Sequence, residues 1–267
     1  MKVTIVVENH SGFRKGFYGA HGFSALLEHK ARVLIDTGVD GDVLLKNMKE
    51  LGINPEDIDY LFLTHGHYDH TGGLKALLEA RSQRLNVIAH PNIFSRRVAL
   101  KPYLRDISLP FSRGELEEAG AEFILSKDPF QFAERIWSSG EIERITWDRA
   151  VGYLVENGRL LRDPVKDDMA LIVDAGDGII VITGCGHSGI LNIARYAGKL
   201  FNKPIKALIG GFHLANAKEN ILGEVVRNLK AEKLYAGHCT GIESFSYLRC
   251  RLGERVEPLH VGKVIEL

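Results

Sequence analysis

Short apolar runs alternate with amphipathic stretches along the first ninety residues. Helical spacing of apolar residues predicts helices over Asp42–Leu51 and Gly73–Arg81, and the first stops at Gly52 ahead of Asn54-Pro55, as helix-terminating chemistry requires. Runs rich in aliphatic and β-branched residues predict short strands between them. These predicted strands are Val3–Glu8, Phe23–Leu27, Arg32–Asp36, Ile58–Leu63 and Asn86–Ala89.

A second series with the same order occupies the last hundred residues. Its predicted strands are Met169–Asp174, Ile179–Thr183, Ile205–Ile209, Lys233–Ala236 and an edge strand at Val264–Leu267, and its predicted helices lie near Gly189–Phe201, Lys218–Leu229 and Ser244–Leu252. Two such series favour an α/β fold in which two sheets pack face to face with helices outside. We expect a single domain over residues 1–267.

The segment from about residue 91 to 156 is less regular than either series. Arginine and lysine residues alternate there with aromatic residues, as at Arg96, Arg97, Lys101 and Tyr103. We interpret it as an insertion that forms a cap over a site, and an ordinary surface subdomain is the alternative.

Charge and cysteine content narrow the choice of partners. Lys plus Arg and Asp plus Glu both number 34, so the formal net charge is zero, which disfavours capture of nucleic acid or an acidic membrane. No run approaches the ~18 apolar residues of a membrane helix, and the N-terminus is typical of a strand and not of a signal peptide. The three cysteines fit a reducing cytoplasm. We expect a cytoplasmic protein that acts on a small molecule, either alone or as a homo-oligomer.

The strongest chemical signal is the segment Thr64–Gly73, which reads THGHYDHTGG and follows a predicted buried strand. It contains four metal-ligand side chains within six residues, namely His65, His67, Asp69 and His70. Such groups are costly to bury without a partner, and imidazole with carboxylate suits zinc, iron or manganese. A histidine-rich surface turn is the alternative interpretation.

Three further histidines each follow an apolar strand and a glycine turn. They are His187 in GCGHSG, His213 in GGFH and His238 in GHCTG. One histidine in this setting is unremarkable, but three beside the first motif indicate a shared metal site.

The H-x-H-x-D-H motif and these turns resemble the metallo-β-lactamase superfamily over nearly the whole chain. The resemblance implies an αββα four-layer sandwich with a dinuclear metal site. It implies that Asp36, in Asp36-Thr37-Gly38, is a structural group behind the ligands. By the same resemblance, His65, His67 and His187 hold one ion, while Asp69, His70 and His238 hold the other.

One position departs from the family pattern. Family members place a metal-bridging aspartate after the fourth-motif strand, and His213 stands there instead. A neutral imidazole does not bridge as a carboxylate does. Three alternatives follow: the second ion binds more weakly, His213 ligates only one ion, or His213 donates a proton.

A closer resemblance exists to one branch of the superfamily. The branch includes archaeal synthases of 7,8-dihydropterin-6-methyl-4-(β-D-ribofuranosyl)aminobenzene 5′-phosphate in tetrahydromethanopterin assembly, and many members labelled only as metal-dependent hydrolases. Its motifs here are His21-Gly22-Phe23-Ser24, Thr64–Gly73, His90-Pro91, Asp167-Asp168 with Ala170-Leu171, Gly184–His187, Gly210–His213 and Gly237–Gly241.

Three functions are therefore carried forward. The first is a hydrolase that uses a metal-activated water on a small phosphorylated or ester metabolite, with Asp69 and His213 as catalytic groups. The second is the synthase, which joins a dihydropterin methyl diphosphate to the aminobenzene ribotide. The third is a non-catalytic metal- or ligand-sensing module. Two divalent ions are expected, zinc first, with iron, manganese or magnesium as alternatives.

Other residues are expected to have supporting roles. Arg96, Arg97 and Lys101 either clamp a substrate phosphate or form a solvated helix face. His21 and His90 are expected to line the substrate pocket. Asp167 and Asp168 are expected to cap a turn or to orient a ligand histidine. Cys185 and Cys239 are interpreted as small packing residues.

Overall fold

The computed structural model describes residues 1–267, which form two seven-stranded sheets, a small four-stranded sheet and seven α-helices. Strands and helices are numbered separately in chain order. The first sheet, in chain order, contains β1 (Lys2–Val7), β2 (Ser24–Glu28), β3 (Arg32–Ile35), β4 (Tyr60–Phe62), β5 (Leu85–Ala89), β8 (Ala121–Leu125) and β18 (Val264–Glu266).

The second sheet carries most of the later series of strands. It contains β9 (Phe130–Ala133), β10 (Ile136–Ser138), β13 (Ala170–Asp174), β14 (Ile179–Thr183), β15 (Ile205–Gly211), β16 (Lys233–Gly237) and β17 (Val256–Pro258). The small sheet contains β6 (Arg97–Ala99), β7 (Arg105–Asp106), β11 (Tyr153–Glu156) and β12 (Arg159–Arg162).

The helices cover the outer faces of the two large sheets. They are α1 (Gly41–Glu50), α2 (Tyr68–Thr71), α3 (Leu74–Glu79), α4 (Arg113–Glu118), α5 (Ile190–Phe201), α6 (Glu219–Asn228) and α7 (Ile242–Leu252). Short 3₁₀ turns occur at Pro55–Asp57, Pro91–Phe94, His238–Thr240 and Gly253–Arg255. No helix is long and apolar enough to span a membrane.

Three apolar layers show that the fold is the expected αββα sandwich. The central layer joins the facing sides of the two sheets, with Ile5 and Ile35 opposite Ile180 and Ile209. One outer layer packs α1 and α3 on the first sheet, and the other packs α5, α6 and α7 on the second. Both faces of the central strands are buried, which explains their continuous apolar runs.

The expected insertion over about 91–156 needs correction. β8 lies within it but pairs in parallel with β5, and β10 pairs with β13 of the second sheet. Only the small sheet stands apart, and it extends to Arg162. Only Ala121 of β8 is buried and its other residues are half-buried or exposed, so this edge strand resembles a surface segment in sequence.

The loop after β7 does reach the expected site. Ser108 forms an antiparallel bridge with His67, and the carbonyl of Ile107 accepts a hydrogen bond of 3.3 Å from the backbone N–H of Tyr68. The small sheet therefore lies beside the metal-ligand loop that the cap was expected to cover.

Candidate metal centre

The candidate ligands follow the carboxyl ends of parallel strands. β3 and β4 run parallel in the first sheet, and β14, β15 and β16 run parallel in the second. Parallel strands end at one edge, where α/β proteins build their sites. The loops after these strands carry, in order, Asp36, the segment His65–His70, Cys185 with His187, His213 and His238.

The first expected ligand set comes together. Nε2 of His65 lies 3.1 Å from Nδ1 of His67, and the His187 ring centroid is 4.8 and 4.9 Å from those of His65 and His67. Nδ1 of His187 donates to the carbonyl of Arg149 at 3.0 Å. This fixes the tautomer, so that Nε2 of His187 is a free acceptor, and that buried atom has no hydrogen-bond partner.

The second expected set is equally compact. Nε2 of His70 lies 3.2 Å from Nε2 of His238. Oδ2 of Asp69 lies 3.5 Å from Nε2 of His238 and 3.7 Å from Nε2 of His70. All three residues are buried.

Asp36 holds the loop and one ligand from behind, as the resemblance implied. Its Oδ2 accepts hydrogen bonds from Nδ1 of His70 at 2.6 Å and from Oγ1 of Thr64 at 2.7 Å, and its Oδ1 accepts from the Thr64 N–H at 2.8 Å. A carboxylate on the far nitrogen makes an imidazole a stronger ligand and fixes its orientation.

His238 is supported by two residues that sequence reasoning missed. Its Nδ1 donates to Oδ1 of Asn9 at 2.9 Å, and its backbone N–H donates to the buried Glu8 carboxylate. His238 has a φ of 46°, a left-handed conformation that such anchors must maintain. Glu8 and Asn9 follow β1, more than 200 residues away, so only tertiary structure reveals the contact.

Arg97 does not lie where a substrate clamp would be. Its guanidinium is buried and pairs with Asp163 at 2.8 Å and with Asp167 at 2.5 Å. Asp167 also accepts a hydrogen bond of 2.8 Å from the N–H of Gly66, between two ligand histidines. The expectation that Arg97 binds phosphate does not fit this placement, because both sides of its fork are occupied by carboxylates. Arg97 instead braces the metal-ligand loop.

The other predicted pocket residues separate into two groups. His21 is exposed at the mouth of the site, with Nε2 3.2 Å from Oδ2 of Asp69. Arg96 is also exposed and lines a surface cleft with Tyr68. His90 is buried, caps the 3₁₀ turn after β5 and lies 3.9 Å from Glu141. These contacts point it away from the candidate ligand histidines, which differs from the expectation that it lines the substrate pocket.

Asp168 and Lys101 have distinct surroundings. Oδ2 of Asp168 accepts a hydrogen bond of 2.7 Å from the N–H of Ser188, the residue after ligand His187. This agrees with the expected supporting role. Lys101 is exposed and follows β6, so neither it nor Arg97 lies on the helix face that was the alternative interpretation.

His213 and Cys185 also enter the pocket. The half-buried His213 ring lies 4.3 Å from that of His187, and its buried Nδ1 has no hydrogen-bond partner. Sγ of Cys185 lies 3.2 Å from Nε2 of His70. The interpretation of Cys185 as a packing residue therefore needs correction, because its sulfur contacts a ligand atom.

Three of the candidate ligand imidazoles are neutral, and the carboxylate of Asp69 beside them is ionised. Burial lowers the pKa of His67 to about 3 and holds the pKa values of His65 and His187 well below 6.5, so these imidazoles are neutral. Burial opposes ionisation of Asp69, but His70 and His238 outweigh it and keep its pKa well below 3.8. Burial also acts to lower the pKa of His238, yet Cys239 and Asp69 raise it to about 9.

The residues present fit a pair of transition-metal ions. Nε2 of His187 is buried without a partner, and the ionised Asp69 lies among imidazole nitrogens. The spacing of 3.1 Å between the His65 and His67 nitrogens, and of 3.2 to 3.7 Å within the second set, is close to the ~3.3 Å between ligand atoms of a tetrahedral ion with bonds of about 2.0–2.1 Å.

Comparison with known proteins agrees with this geometry. A family model described as the metallo-beta-lactamase superfamily matches residues 19–238. The chain belongs to the metallo-β-lactamase superfamily. Members of this superfamily are metal-dependent enzymes, and their fold typically binds divalent metals.

One curated relative and two solved structures are similar to the chain over its whole length. The 7,8-dihydropterin-6-methyl-4-(beta-D-ribofuranosyl)-aminobenzene-5′-phosphate synthase of Methanocaldococcus jannaschii is 34% identical, over 100% of this chain and 96% of that protein. The crystal structure of a metal-dependent hydrolase of the beta-lactamase superfamily superposes with a TM-score of 0.86, at 26% identity, over 100% of this chain and 99% of the other. Zinc-bound PqqB from Methylobacterium extorquens has a TM-score of 0.63 at 13% identity, with 100% of both chains covered, and shows the shared fold.

Proposed function

We propose that this protein is a metal-dependent hydrolase that acts on a small phosphorylated or ester-bearing metabolite. One observation carries the proposal: the two candidate ligand sets lie together in one cluster of buried side chains, and Asp69 of that cluster contacts the exposed His21. The candidate metal centre therefore lies next to a side chain that a substrate can reach. The metal-dependent hydrolase with a TM-score of 0.86 supports this reaction class.

Bound divalent ions would polarise a phosphoryl or carbonyl oxygen and lower the pKa of water towards ~7. Nitrogen ligands predominate, which supports zinc, iron or manganese over magnesium, since magnesium prefers oxygen.

The chain itself supplies orientation and proton transfer. Oδ2 of Asp69 orients the attacking water from the second ligand set. Nδ1 of His213 has no partner within the chain, so it can hold a proton for the leaving group. Nε2 of the exposed His21 would bind a substrate oxygen, and Arg96 offers an exposed positive charge in the cleft that it lines with Tyr68.

The synthase reaction is the second candidate, because the Methanocaldococcus jannaschii relative named as that synthase matches the entire chain. In that reaction the arylamine nitrogen attacks the methylene carbon of a dihydropterin methyl diphosphate. The carbon–oxygen bond breaks and pyrophosphate leaves with the electron pair. The amine proton is released, and Nδ1 of His213 is placed to receive it.

The discriminating experiment measures pyrophosphate and phosphate release by the metal-loaded protein. Dihydropterin methyl diphosphate is supplied with and without 4-(β-D-ribofuranosyl)aminobenzene 5′-phosphate, beside a panel of phosphoesters and lactones. Turnover that needs no amine and stops on chelation supports the hydrolase. Pyrophosphate release that requires both substrates identifies the synthase.

Two variants test the site itself. His67→Ala and Asp69→Ala are expected to reduce turnover of the best substrate by at least about a hundredfold, because each removes a ligand of a metal that activates the nucleophile. His29→Ala, an exposed histidine in the turn after β2, is the matched control. Unchanged turnover in Asp69→Ala would contradict both enzyme proposals. Tight metal binding without turnover of any substrate would favour the sensing module.

The chain's neutral charge supports a small substrate over nucleic acid. A cytoplasmic location, and a homo-oligomeric state, remain proposals from the sequence.

A further inference from the structure

The buried thiol of Cys185 lies inside the second ligand set. Its Sγ is 3.2 Å from Nε2 of His70 and 3.3 Å from Nε2 of His238. These two nitrogens are the ones presented to the pocket, because Asp36 and Asn9 hold the opposite nitrogen of each ring. The sulfur therefore approaches the atoms that ligate a metal, and not the backs of their rings.

Five of the six distances among the four donor atoms of this set are close to the edges of a tetrahedron. The two nitrogens are 3.2 Å apart, the sulfur is 3.2 and 3.3 Å from them, and Oδ2 of Asp69 is 3.5 and 3.7 Å from them. Bonds of about 2.0–2.1 Å to nitrogen and 2.3 Å to sulfur give tetrahedral edges of ~3.3 to 3.6 Å. One ion at the centre thus reaches the sulfur as well as the three expected ligands.

The same sulfur also faces the first ligand set. Ligand atoms of Cys185, His65 and His187 lie within 4.8 Å of one another, as do those of Cys185, Asp69, His70 and His238. Nε2 of His187 is buried and has no hydrogen-bond partner, which independently indicates that this nitrogen binds a metal ion. Cys185 therefore lies between the two metal positions.

The backbone fixes this placement. A Cβ at Gly184 would lie 2.1 Å from Oγ1 of Thr64 and 2.6 Å from Oδ2 of Asp36, so only glycine lets the loop approach the support of the ligands. Gly186 has a φ of +70°, which turns the chain sharply after the cysteine. These two glycines hold Cys185 against the ligand atoms.

We propose that Cys185 is a thiolate ligand of the ion held by Asp69, His70 and His238, on the side that faces the other ion. This inference rests on the metal centre of the proposed function but not on its reaction. On binding, the thiol proton passes to solvent and a sulfur–metal bond forms. A thiolate ligand selects zinc, cobalt or iron over magnesium, because magnesium prefers oxygen donors.

Cys239 is the alternative source of a thiolate. It is half-buried, and its Sγ lies 3.4 Å from the carbonyl of Cys185 and within a cluster with His213. No hydrogen-bond contact joins its sulfur to His70 or His238. Cys239→Ser is therefore the matched variant, and Cys250→Ser, on the exposed face of α7, is the distant control.

The test uses the full chain loaded with cobalt(II), whose thiolate complexes show a near-ultraviolet charge-transfer band. The wild type and the Cys239→Ser and Cys250→Ser variants should show this band, and Cys185→Ser should lack it. Cys185→Ala should also lower affinity for one of the two ions at least about tenfold, since loss of even an outer partner of a ligand costs 10–100-fold. Dialysis against a competing chelator measures that affinity.

X-ray absorption at the zinc edge of the wild type tests the proposal without a variant that must fold. A sulfur neighbour at about 2.3 Å is expected. A shell of nitrogen and oxygen alone, a cobalt band that survives in Cys185→Ser, or a band lost only in Cys239→Ser would each overturn it. None of these readings requires turnover, so failure of the hydrolase proposal would be seen separately.

Discussion

Oδ2 of Asp36 lies 2.6 Å from Nδ1 of His70, and both side chains are wholly buried. The contact joins the end of β3 to the metal-ligand loop after β4, so one carboxylate both closes the loop and orients a ligand. The same oxygen accepts from Oγ1 of Thr64, one residue before His65. Loop geometry and ligand orientation are thus set by a single residue.

Asp36→Asn is expected to lower the affinity for the ion at His70 by about 10–100-fold. The amide keeps the size of the side chain but removes the charge that strengthens the imidazole as a ligand. Competition with a chromophoric chelator measures the change. Asp40→Asn is the control, because Asp40 is an exposed helix cap and asparagine caps equally well. Equal affinities in the two variants would show that Asp36 serves only the loop.

Arg97→Met is expected to lower the free energy of unfolding by about 3–5 kcal/mol, since it leaves the carboxyl groups of Asp163 and Asp167 buried without their cationic partner. Urea denaturation monitored by circular dichroism measures this loss. Arg96→Met should change it by only ~0–1 kcal/mol, because the Arg96–Asp106 pair is exposed and 3.9 Å apart. The reverse ranking would contradict a bracing role for Arg97.

His21→Ala is expected to lower kcat/KM about tenfold, equivalent to ~1.4 kcal/mol, while both ions stay bound. The exposed ring contacts Asp69 but belongs to neither ligand set, so its loss should affect substrate more than metal. Metal analysis and steady-state kinetics on the best substrate provide the two readings. His29→Ala should leave both unchanged, and loss of a metal in His21→Ala would instead make His21 a ligand.

Gly22→Ala is expected to weaken the second ligand set. Its φ is +119°, and an added Cβ would lie 2.0 Å from the backbone oxygen of Asp69, which must then move. Gly52→Ala separates strain from clash, because Gly52 also has a positive φ, +67°, but nothing lies within 4 Å of its Cβ. We expect Gly52→Ala to lower the free energy of unfolding by about 1–2 kcal/mol and to leave metal affinity unchanged. Gly22→Ala should lower the free energy of unfolding more and should also weaken metal binding. Denaturation and chelator competition measure the two effects.

The predicted strands and helices of the two series occur in the structure with boundaries shifted by at most two residues. Their apolar runs are continuous because both sheet faces are covered, so the pattern alone identifies them. The strands of the middle segment were missed, since β8 is half-exposed and β12 is exposed throughout. Their pairing with distant strands, and not their own apolar pattern, makes them strands.

The sequence by itself determined the fold family and the motif that carries His65, His67, Asp69 and His70, because four ligands in six residues are a local signal. Only the tertiary structure shows where the side chains of Arg97 and Cys185 lie. Arg97 follows the exposed Arg96 in sequence, but its guanidinium points into the protein. There it pairs with two carboxylates more than sixty residues away. Cys185 lies two residues before His187 in sequence, but its sulfur contacts His70 and His238. Such contacts depend on which strand ends meet at one edge, and the local pattern of residues does not contain that information.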